Sequence, residues 1–222
     1  MERRSKLRSS LGAFLRVLGD LMLLNILWLV CSLPVVTVGP ATSALCCVLL
    51  KIARGEPVAT ARTFFGGMKR GFGQALLLGL LGLLGLVIAA GDWHFAVAQE
   101  GTMRTLFFLV AVIVSMVVLA FWTWAFALHA GFENSFTGTV KNAFSLAFVE
   151  PKRTLLIWIG FAIPVLSFLF LPEIAVIYLG WAYILFAVSA PAYFAARAQV
   201  KVFARFGGPA ARIEPEEENF YQ

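Results

Sequence analysis

Long apolar stretches separated by short polar segments dominate the chain. A membrane-spanning helix needs about 20 mostly apolar residues. Five stretches are close to that length or exceed it: Leu11–Leu33, Gly73–Ala90, Thr105–Ala130, Thr154–Leu171 and Ile174–Ala196. We predict that each of them forms a membrane-spanning helix.

A sixth apolar segment, Ala41–Ala53, is shorter than a usual membrane span. It follows the segment Pro34–Pro40, in which two prolines and a glycine exclude a regular helix. The sequence therefore predicts a short second helix that is preceded by a Pro/Gly break. The length of this helix alone leaves open whether it crosses the membrane.

The distribution of basic residues decides that question. The chain has 18 Lys and Arg residues, and all except Arg16 and Arg104 lie on one side if Ala41–Ala53 crosses. If it does not cross, the basic run Lys51–Arg70 lies on the side opposite the N-terminus. Because Lys and Arg accumulate on cytoplasmic loops, we predict six transmembrane helices, arranged as three hairpins with both termini cytoplasmic.

Two longer inner loops of this arrangement, Arg54–Phe72 and Gly131–Arg153, are both aromatic and basic. Each predicts a short amphipathic helix that lies on the inner membrane surface. We assign residues 1–212 to a single transmembrane domain. Residues 213–222 form an acidic tail, and its end, Glu218–Gln222, is close to a common protease-site tag.

The composition supports a membrane protein and excludes two other classes. The chain of 222 residues is 60% hydrophobic and 14% charged, whereas soluble domains have about 45–50% apolar and about 25% charged residues. A soluble globule could not bury so much apolar surface, and a disordered chain would contain far less of it. The net charge of +6 reflects the basic inner loops, so we predict a lipid bilayer as partner and no nucleic acid.

No motif for catalysis or cofactor binding is present in the sequence. The chain lacks His-Glu-x-x-His, a phosphate-binding loop and Gly-x-Ser-x-Gly. The two histidines, His94 and His129, and the three cysteines have no metal-ligand spacing. We predict that the protein is not an enzyme and that it holds no metal and no cofactor.

Asp20 is the only carboxylate inside a predicted span. A charge at the bilayer centre costs about 2.5–3.5 kcal/mol on insertion scales, so it needs a partner or a function. Arg16 lies one helical turn earlier and predicts an intramembrane charge pair with Asp20. The alternative is a proton or cation site.

The Pro/Gly break gives the strongest indication of a binding site. Interrupted helices at membrane depth occur where the backbone lines a cavity or is buried in protein. Candidate contacts to a solute or cavity come from this break and from one face of the first helix: Asn25, Trp28, Thr37, Gly39, Thr42 and Ser43. The alternative is a compact buried turn, to whose backbone the polar face of the first helix bonds.

Small residues and prolines predict local features of the later helices. Gly79, Gly82 and Gly85 recur at every third position, and small residues at the contact face let helix backbones approach closely in membranes. We therefore predict close helix packing along this face. Pro164 and Pro191 predict kinks in the last two helices.

Two motifs have unusual compositions: Leu24–Ala44, which reads LNILWLVCSLPVVTVGPATSA, and Phe64–Phe72, which reads FFGGMKRGF. Both resemble the YesL family of bacterial integral membrane proteins, which is built around a domain of unknown function. The resemblance implies a bacterial plasma membrane and a setting in carbohydrate uptake and polysaccharide use. It implies no catalytic residues.

These observations predict a transport-linked role. The protein would be a transporter or channel for a small polar solute or sugar, or an accessory subunit of a carbohydrate-uptake system with a membrane transport partner. The alternative is a non-transporting sensor or assembly protein whose basic inner loops dock a cytoplasmic partner. A homo-oligomer is compatible with either role.

Overall fold

The computed structural model describes residues 2–170 and 180–205. Within these residues all regular structure is helical, which confirms the predicted all-α class. The α-helices are α1 Glu2–Cys31, α2 Val38–Arg54, α3 Thr60–Lys69, α4 Phe72–Ala98, α5 Gly101–Gly131, α6 Phe136–Val149, α7 Pro151–Phe170, α8 Gly180–Phe186 and α9 Ser189–Arg205. A 3₁₀ turn, Val35–Thr37, lies between α1 and α2.

Four helical segments of the described residues are long and apolar enough to cross a membrane. They are Phe14–Cys31, Val35–Arg54, Phe72–Ala98 and Gly101–Gly131. The chain is thus an apolar, helical membrane protein, whereas the total of six spans in three hairpins stays a prediction. The predicted connection Leu171–Ile174 and the acidic tail 213–222 lie outside the described residues.

The break after α1 is shorter than predicted, and α2 is longer. The prediction of an irregular segment up to Pro40 is wrong, because Gly39 and Pro40 already lie in the first turn of α2. A proline fits there, since the first N–H groups of a helix have no intrahelical acceptor. As a result α2 has 17 residues and is about 25 Å long.

The last predicted helix, Ile174–Ala196, is interrupted in the structure. α8 ends at Phe186 and α9 begins at Ser189, so the described part of this segment is broken just before Pro191, where the sequence predicts a kink. Pro191 lies in the first turn of α9. Because a proline ring clashes with the preceding turn of a continuous helix, its position explains a break just upstream.

Two short helices follow α2 and α5, where the inner loops predict amphipathic helices. The helical structure of α3 and α6 confirms this part of the prediction. α3 packs back along α2, with Gly67 beside Ala44. The ends of α2 and α5 also meet, since Leu50 packs beside Gly131. We call this side of the bundle, which carries both short helices, the α3–α6 end.

The core lies where α1, α2, α5 and α9 meet. One buried side chain from each helix, in that order, is Leu24, Leu45, Trp124 and Val202. Many large side chains of α4 and α5 are apolar and exposed instead, among them Val87 and Ile113. Apolar exposure on this scale is stable against lipid or against another apolar surface.

The α1–α2 hairpin reaches only part-way along α4. Gly39, in the first turn of α2, lies against Gly79 of α4. α2 begins at this crossing, whereas α4 continues through Leu80–Ala98, which is about 28 Å of further helix. α5 returns along this extension, with Val118 against Gly85. The α4–α5 hairpin is therefore much longer on the side away from the α3–α6 end.

Candidate functional site

The turn between α1 and α2 is closed by a threonine hydroxyl group. Thr37 Oγ1 lies 2.6 Å from the carbonyl oxygen of Cys31 and 2.7 Å from that of Pro34, and its proton is shared between them. Carbonyl groups at the end of a helix lack intrahelical partners. Thr37, a predicted solute contact, is therefore engaged within the turn.

Trp28 and Thr42, two more predicted contacts, bond to each other across the hairpin. Trp28 Nε1 donates to Thr42 Oγ1 over 3.1 Å. Thr42 Oγ1 in turn donates to the carbonyl of Val38 over 2.7 Å. The structure thus brings these two residues together as a contact between α1 and α2.

Gly39 allows the backbones of α2 and α4 to come close together. A Cβ added to Gly39 would lie only 2.8 Å from Gly79 Cα, so a side chain cannot fit without moving one backbone. Gly82 and Gly85 likewise leave room for side chains of α5. The predicted close packing along this face of α4 is confirmed.

Asn25 is fully buried and holds the break between α8 and α9. Its Nδ2 donates to the carbonyl of Ile184 over 2.7 Å. Its Oδ1 accepts from the N–H groups of Val188 at 3.0 Å and Ser189 at 2.9 Å. An interrupted helix leaves such backbone groups unpaired, and lipid cannot satisfy them. The structure therefore places Asn25 at a second break, next to the kink predicted at Pro191, whereas the contact between Asn25 and this break was not predicted.

Asp20 lies at the α3–α6 end and is bonded to a hydroxyl group. Thr60 Oγ1, in the first turn of α3, donates to Asp20 Oδ1 over 2.6 Å. Among the ion pairs of the described residues, none joins Asp20 to Arg16, whose side chain is exposed. Because α3 follows the loop after α2, Asp20 is level with the end of α2 and not with its middle.

A polar cavity of about 410 Å³ lies at the α3–α6 end, where the turn between α3 and α4 faces the turn between α5 and α6. Ser43, the last of the predicted site residues, lines its wall. The other lining residues come from α2, from the two turns and from the adjoining helix ends: Cys47, Gly67, Arg70, Gly71, Gln74, His129, Ala130, Phe132, Glu133 and Asn134. We call this cavity the turn pocket.

Two polar contacts join the walls of the turn pocket. Arg70 Nη2 donates to Glu133 Oε1 over 2.7 Å, and the two side chains are 53% and 87% exposed. Gln74 Nε2 donates to the carbonyl of Asn134 over 3.0 Å and to Thr139 Oγ1 over 3.1 Å. The exposed ion pair therefore marks the mouth of the pocket, and the amide contacts lie deeper.

Gly71 and His129 form another part of the pocket wall. Gly71 precedes α4 with a φ of +61°, a left-handed conformation that favours glycine. A Cβ at this position would lie 2.8 Å from His129 Cε1, so the imidazole packs directly on the start of α4. The turn pocket thus combines a guanidinium, a carboxylate, an imidazole and amides around one cavity.

A second cavity, of about 460 Å³, lies between α7 and the α8–α9 pair. Its walls are almost entirely apolar and include Ile159, Ile163 and Phe194. Its hydroxyl-bearing residues, Ser167 and Tyr183, bond to each other. Apolar walls suit lipid or other apolar groups, so the turn pocket is the better candidate for a polar ligand.

Comparison with protein families adds a name for the first part of the chain. The family model of a protein of unknown function, DUF624, matches residues 21–93. This segment belongs to DUF624. DUF624 is the family of the YesL-type bacterial membrane proteins, so the predicted resemblance is confirmed. Comparisons with curated proteins and with solved structures gave no match.

The DUF624 segment supplies only part of the turn pocket. It runs from Leu21 in α1 to Trp93 in α4 and contains the α1–α2 turn. Its contribution to the pocket includes Arg70 and Gln74. The wall formed by residues 129–134 lies outside the DUF624 segment, so the pocket is completed by the end of α5 and the turn that follows it.

Sequence reasoning missed most of the turn pocket. The predicted site does not include Arg70, Gln74, Glu133 or Asn134, and His129 entered the sequence analysis only as a histidine without metal-ligand spacing. One usable signal was the second family motif, Phe64–Phe72, which ends in the pocket wall. Another was the likeness of the two basic, aromatic inner loops, both of which lead to the pocket.

Proposed function

We propose that the protein is an accessory or sensory membrane component that binds a small polar ligand in the turn pocket. The observation that carries this proposal is the pocket itself, a cavity of about 410 Å³ at the α3–α6 end. Sites for small molecules combine a cavity of this size with a few converging polar groups. Arg70, Gln74 and His129 are such groups.

The packing beside the pocket favours an accessory role over a conducting path. Leu45 and Val48 of α2 are buried and belong to the same core as Trp124. A polar solute that passed between these helices would have to displace this apolar packing. The hydroxyl groups predicted to contact a solute, those of Thr37 and Thr42, are bonded within the protein.

The proposal includes a bacterial plasma membrane, with the turn pocket and both termini on the cytoplasmic side. The distribution of charge supports this orientation, because Lys51, Arg54 and Arg70 are all at the α3–α6 end and basic residues accumulate on the cytoplasmic side. The YesL resemblance supports a carbohydrate-uptake system as the setting. Its membrane transport protein is then the proposed partner.

Reconstitution in liposomes tests the accessory role. We expect no uptake of monosaccharides, sugar phosphates or inorganic ions by the purified protein. We expect at least one of these compounds to raise its melting temperature in detergent. Gln74→Ala, which changes the pocket wall, should remove this stabilisation, whereas Lys141→Ala, exposed on α6, should retain it. Uptake of any of these solutes by the wild type would contradict the accessory role.

A small-solute transporter is the second candidate function, and the break between α8 and α9 favours it. Interrupted helices form the substrate sites of many secondary transporters. Asn25 holds the backbone of such a break. If the protein is a transporter, the liposomes take up a solute and Asn25→Ala abolishes that uptake. If it is an accessory component, neither protein shows uptake.

A further inference from the structure

We propose that the turn pocket recognises a phosphate group, which binds to Arg70 in place of Glu133. The inference rests on the proposed function, because it names the ligand class of the same pocket. Three observations support it: an exposed ion pair at the mouth of the pocket, an excess of positive charge around it, and further hydrogen-bonding groups in its wall.

The ion pair between Arg70 and Glu133 is a contact that a ligand can exchange. Glu133 Oε1 lies 2.7 Å from Arg70 Nη2, so a carboxylate oxygen already occupies the position of an anionic ligand oxygen. The Glu133 side chain is 87% exposed, and exposed ion pairs contribute little net stability because water competes for both charges. A guanidinium also presents several N–H donors in a planar fork that matches phosphate oxygens.

Positive charge predominates around the pocket. Lys51, Arg54 and Arg70 all carry a positive charge near Cys47 in the pocket wall. The acidic group near the same thiol is Glu56, which is paired with Arg54 at 3.4 Å. When the carboxylate at the mouth is displaced, the remaining charges favour an anion over a neutral sugar or a cation.

The pocket wall adds further hydrogen-bonding groups. α4 begins directly after Gly71 of the wall, without a side-chain cap. The N–H groups of a first helical turn lack intrahelical acceptors and carry partial positive charge. Ser43 and His129 add a hydroxyl and an imidazole to the same wall.

Inorganic phosphate is the probe for this proposal. Its binding to the full-length protein in a neutral detergent is measured by isothermal titration calorimetry, with chloride as reference anion at constant ionic strength. Arg70→Gln should weaken binding about tenfold or more, because it removes a charge-assisted contact. Glu133→Gln should strengthen binding, because it removes the competing carboxylate. Both variants break the same ion pair, so effects of opposite sign separate ligand binding from a structural role of the pair.

Matched variants control for folding and for general charge. Lys69→Gln removes an exposed neighbouring cation outside the pocket wall and should bind phosphate like the wild type. Arg70→Lys keeps the charge without the planar fork and should show intermediate affinity, which provides a test if Arg70→Gln does not fold. The proposal is overturned if the wild type does not bind phosphate, if Arg70→Gln binds it equally well, or if Glu133→Gln binds it more weakly.

The phosphate group can belong to a soluble molecule or to a lipid headgroup, and a second titration distinguishes them. It is carried out in nanodiscs of phosphatidylcholine, with and without phosphatidylglycerol. Suppression of phosphate binding by phosphatidylglycerol assigns the site to an anionic headgroup, and equal binding in both discs assigns it to a soluble phosphate. Absence of binding overturns the phosphate assignment alone, whereas the accessory function is overturned by uptake in the liposome assay.

Discussion

The α1–α2 and α4–α5 hairpins consist of similarly apolar segments but are held together in different ways. In α2, 9 of 17 residues are buried, compared with 8 of 31 in α5. In the first hairpin, Trp28 bonds to a hydroxyl at the start of α2, and the turn closes on itself. In the second, glycines of α4 receive side chains of α5, and large apolar groups remain exposed.

The difference shows which feature of an apolar helix decides whether it faces protein or lipid. Mean hydropathy is high for both segments, 1.8 for Val35–Arg54 and 2.7 for Gly101–Gly131, although the first is buried to a larger extent. The first turns of α2, residues 38–44, contain only small and medium side chains, which let neighbouring helices come close. The first half of α5 carries large aliphatic side chains that stay exposed, such as Ile113, whereas Trp124 and Phe126 nearer its other end are buried in the core.

The largest expected effect comes from filling the crossing between α2 and α4. Gly39→Leu should prevent native packing, because its side chain would meet backbone atoms of α4 that cannot move separately. The loss should exceed the about 1–3 kcal/mol that is usual for overpacking. Gly91→Leu is the matched change in the α4–α5 hairpin, where no atom lies within 4 Å of an added Cβ. Fluorescence-detected gel filtration and melting temperature should show a loss for the first variant only.

A smaller but still large effect is expected at Asn25. Asn25→Ala leaves one carbonyl and two N–H groups of the α8–α9 break without their partner, at about 1–3 kcal/mol for a buried unsatisfied group. We expect a total destabilisation of about 2–4 kcal/mol. Asn142→Ala, exposed on α6, is the control and should leave the melting temperature nearly unchanged. Equal melting temperatures for the two variants would contradict the role assigned to Asn25.

Double-mutant cycles compare the cross-hairpin hydrogen bonds directly. For Trp28→Phe with Thr42→Val we expect a coupling of about 0.5–1.5 kcal/mol, the net contribution of a typical hydrogen bond. For Trp93→Phe with Ser115→Ala, in the α4–α5 hairpin, we expect a smaller coupling, because that bond lies at the exposed surface and is not held in place by a packed core. Thermal unfolding in detergent provides both values. A larger coupling in the second hairpin would reverse the comparison.

The difference in reach between the hairpins can be tested without a loss of stability. In a cysteine-free background, Gln99→Cys should react with an impermeant thiol reagent added outside intact cells. Leu33→Cys should not, because α4 continues for about 28 Å beyond the point where Gly39 of the α1–α2 hairpin crosses it. Val58→Cys and Ser135→Cys should also be protected if both lie on the cytoplasmic side. Equal labelling of Leu33→Cys and Gln99→Cys would show that both hairpins reach the outer surface.

The sequence by itself was sufficient for the all-α class, for the helices α3 and α6, and for the resemblance of its first part to the YesL-type family. These features depend on local patterns, namely the length of apolar stretches, the aromatic and basic composition of two loops, and two short motifs. It also indicated the close packing at Gly79, because small residues at regular spacing on one helix face have few other uses in a membrane.

Only the tertiary structure decided which polar groups meet. Asn25 bonds to a carbonyl 159 positions away, and Arg70 pairs with Glu133 63 positions away. A hydropathy pattern records the average surroundings of a segment, whereas a hydrogen bond depends on which segments touch and at which height. The partners of Asn25, the bond between Asp20 and Thr60 and the assembly of the turn pocket all follow from helix packing, so they had no local signature in the sequence.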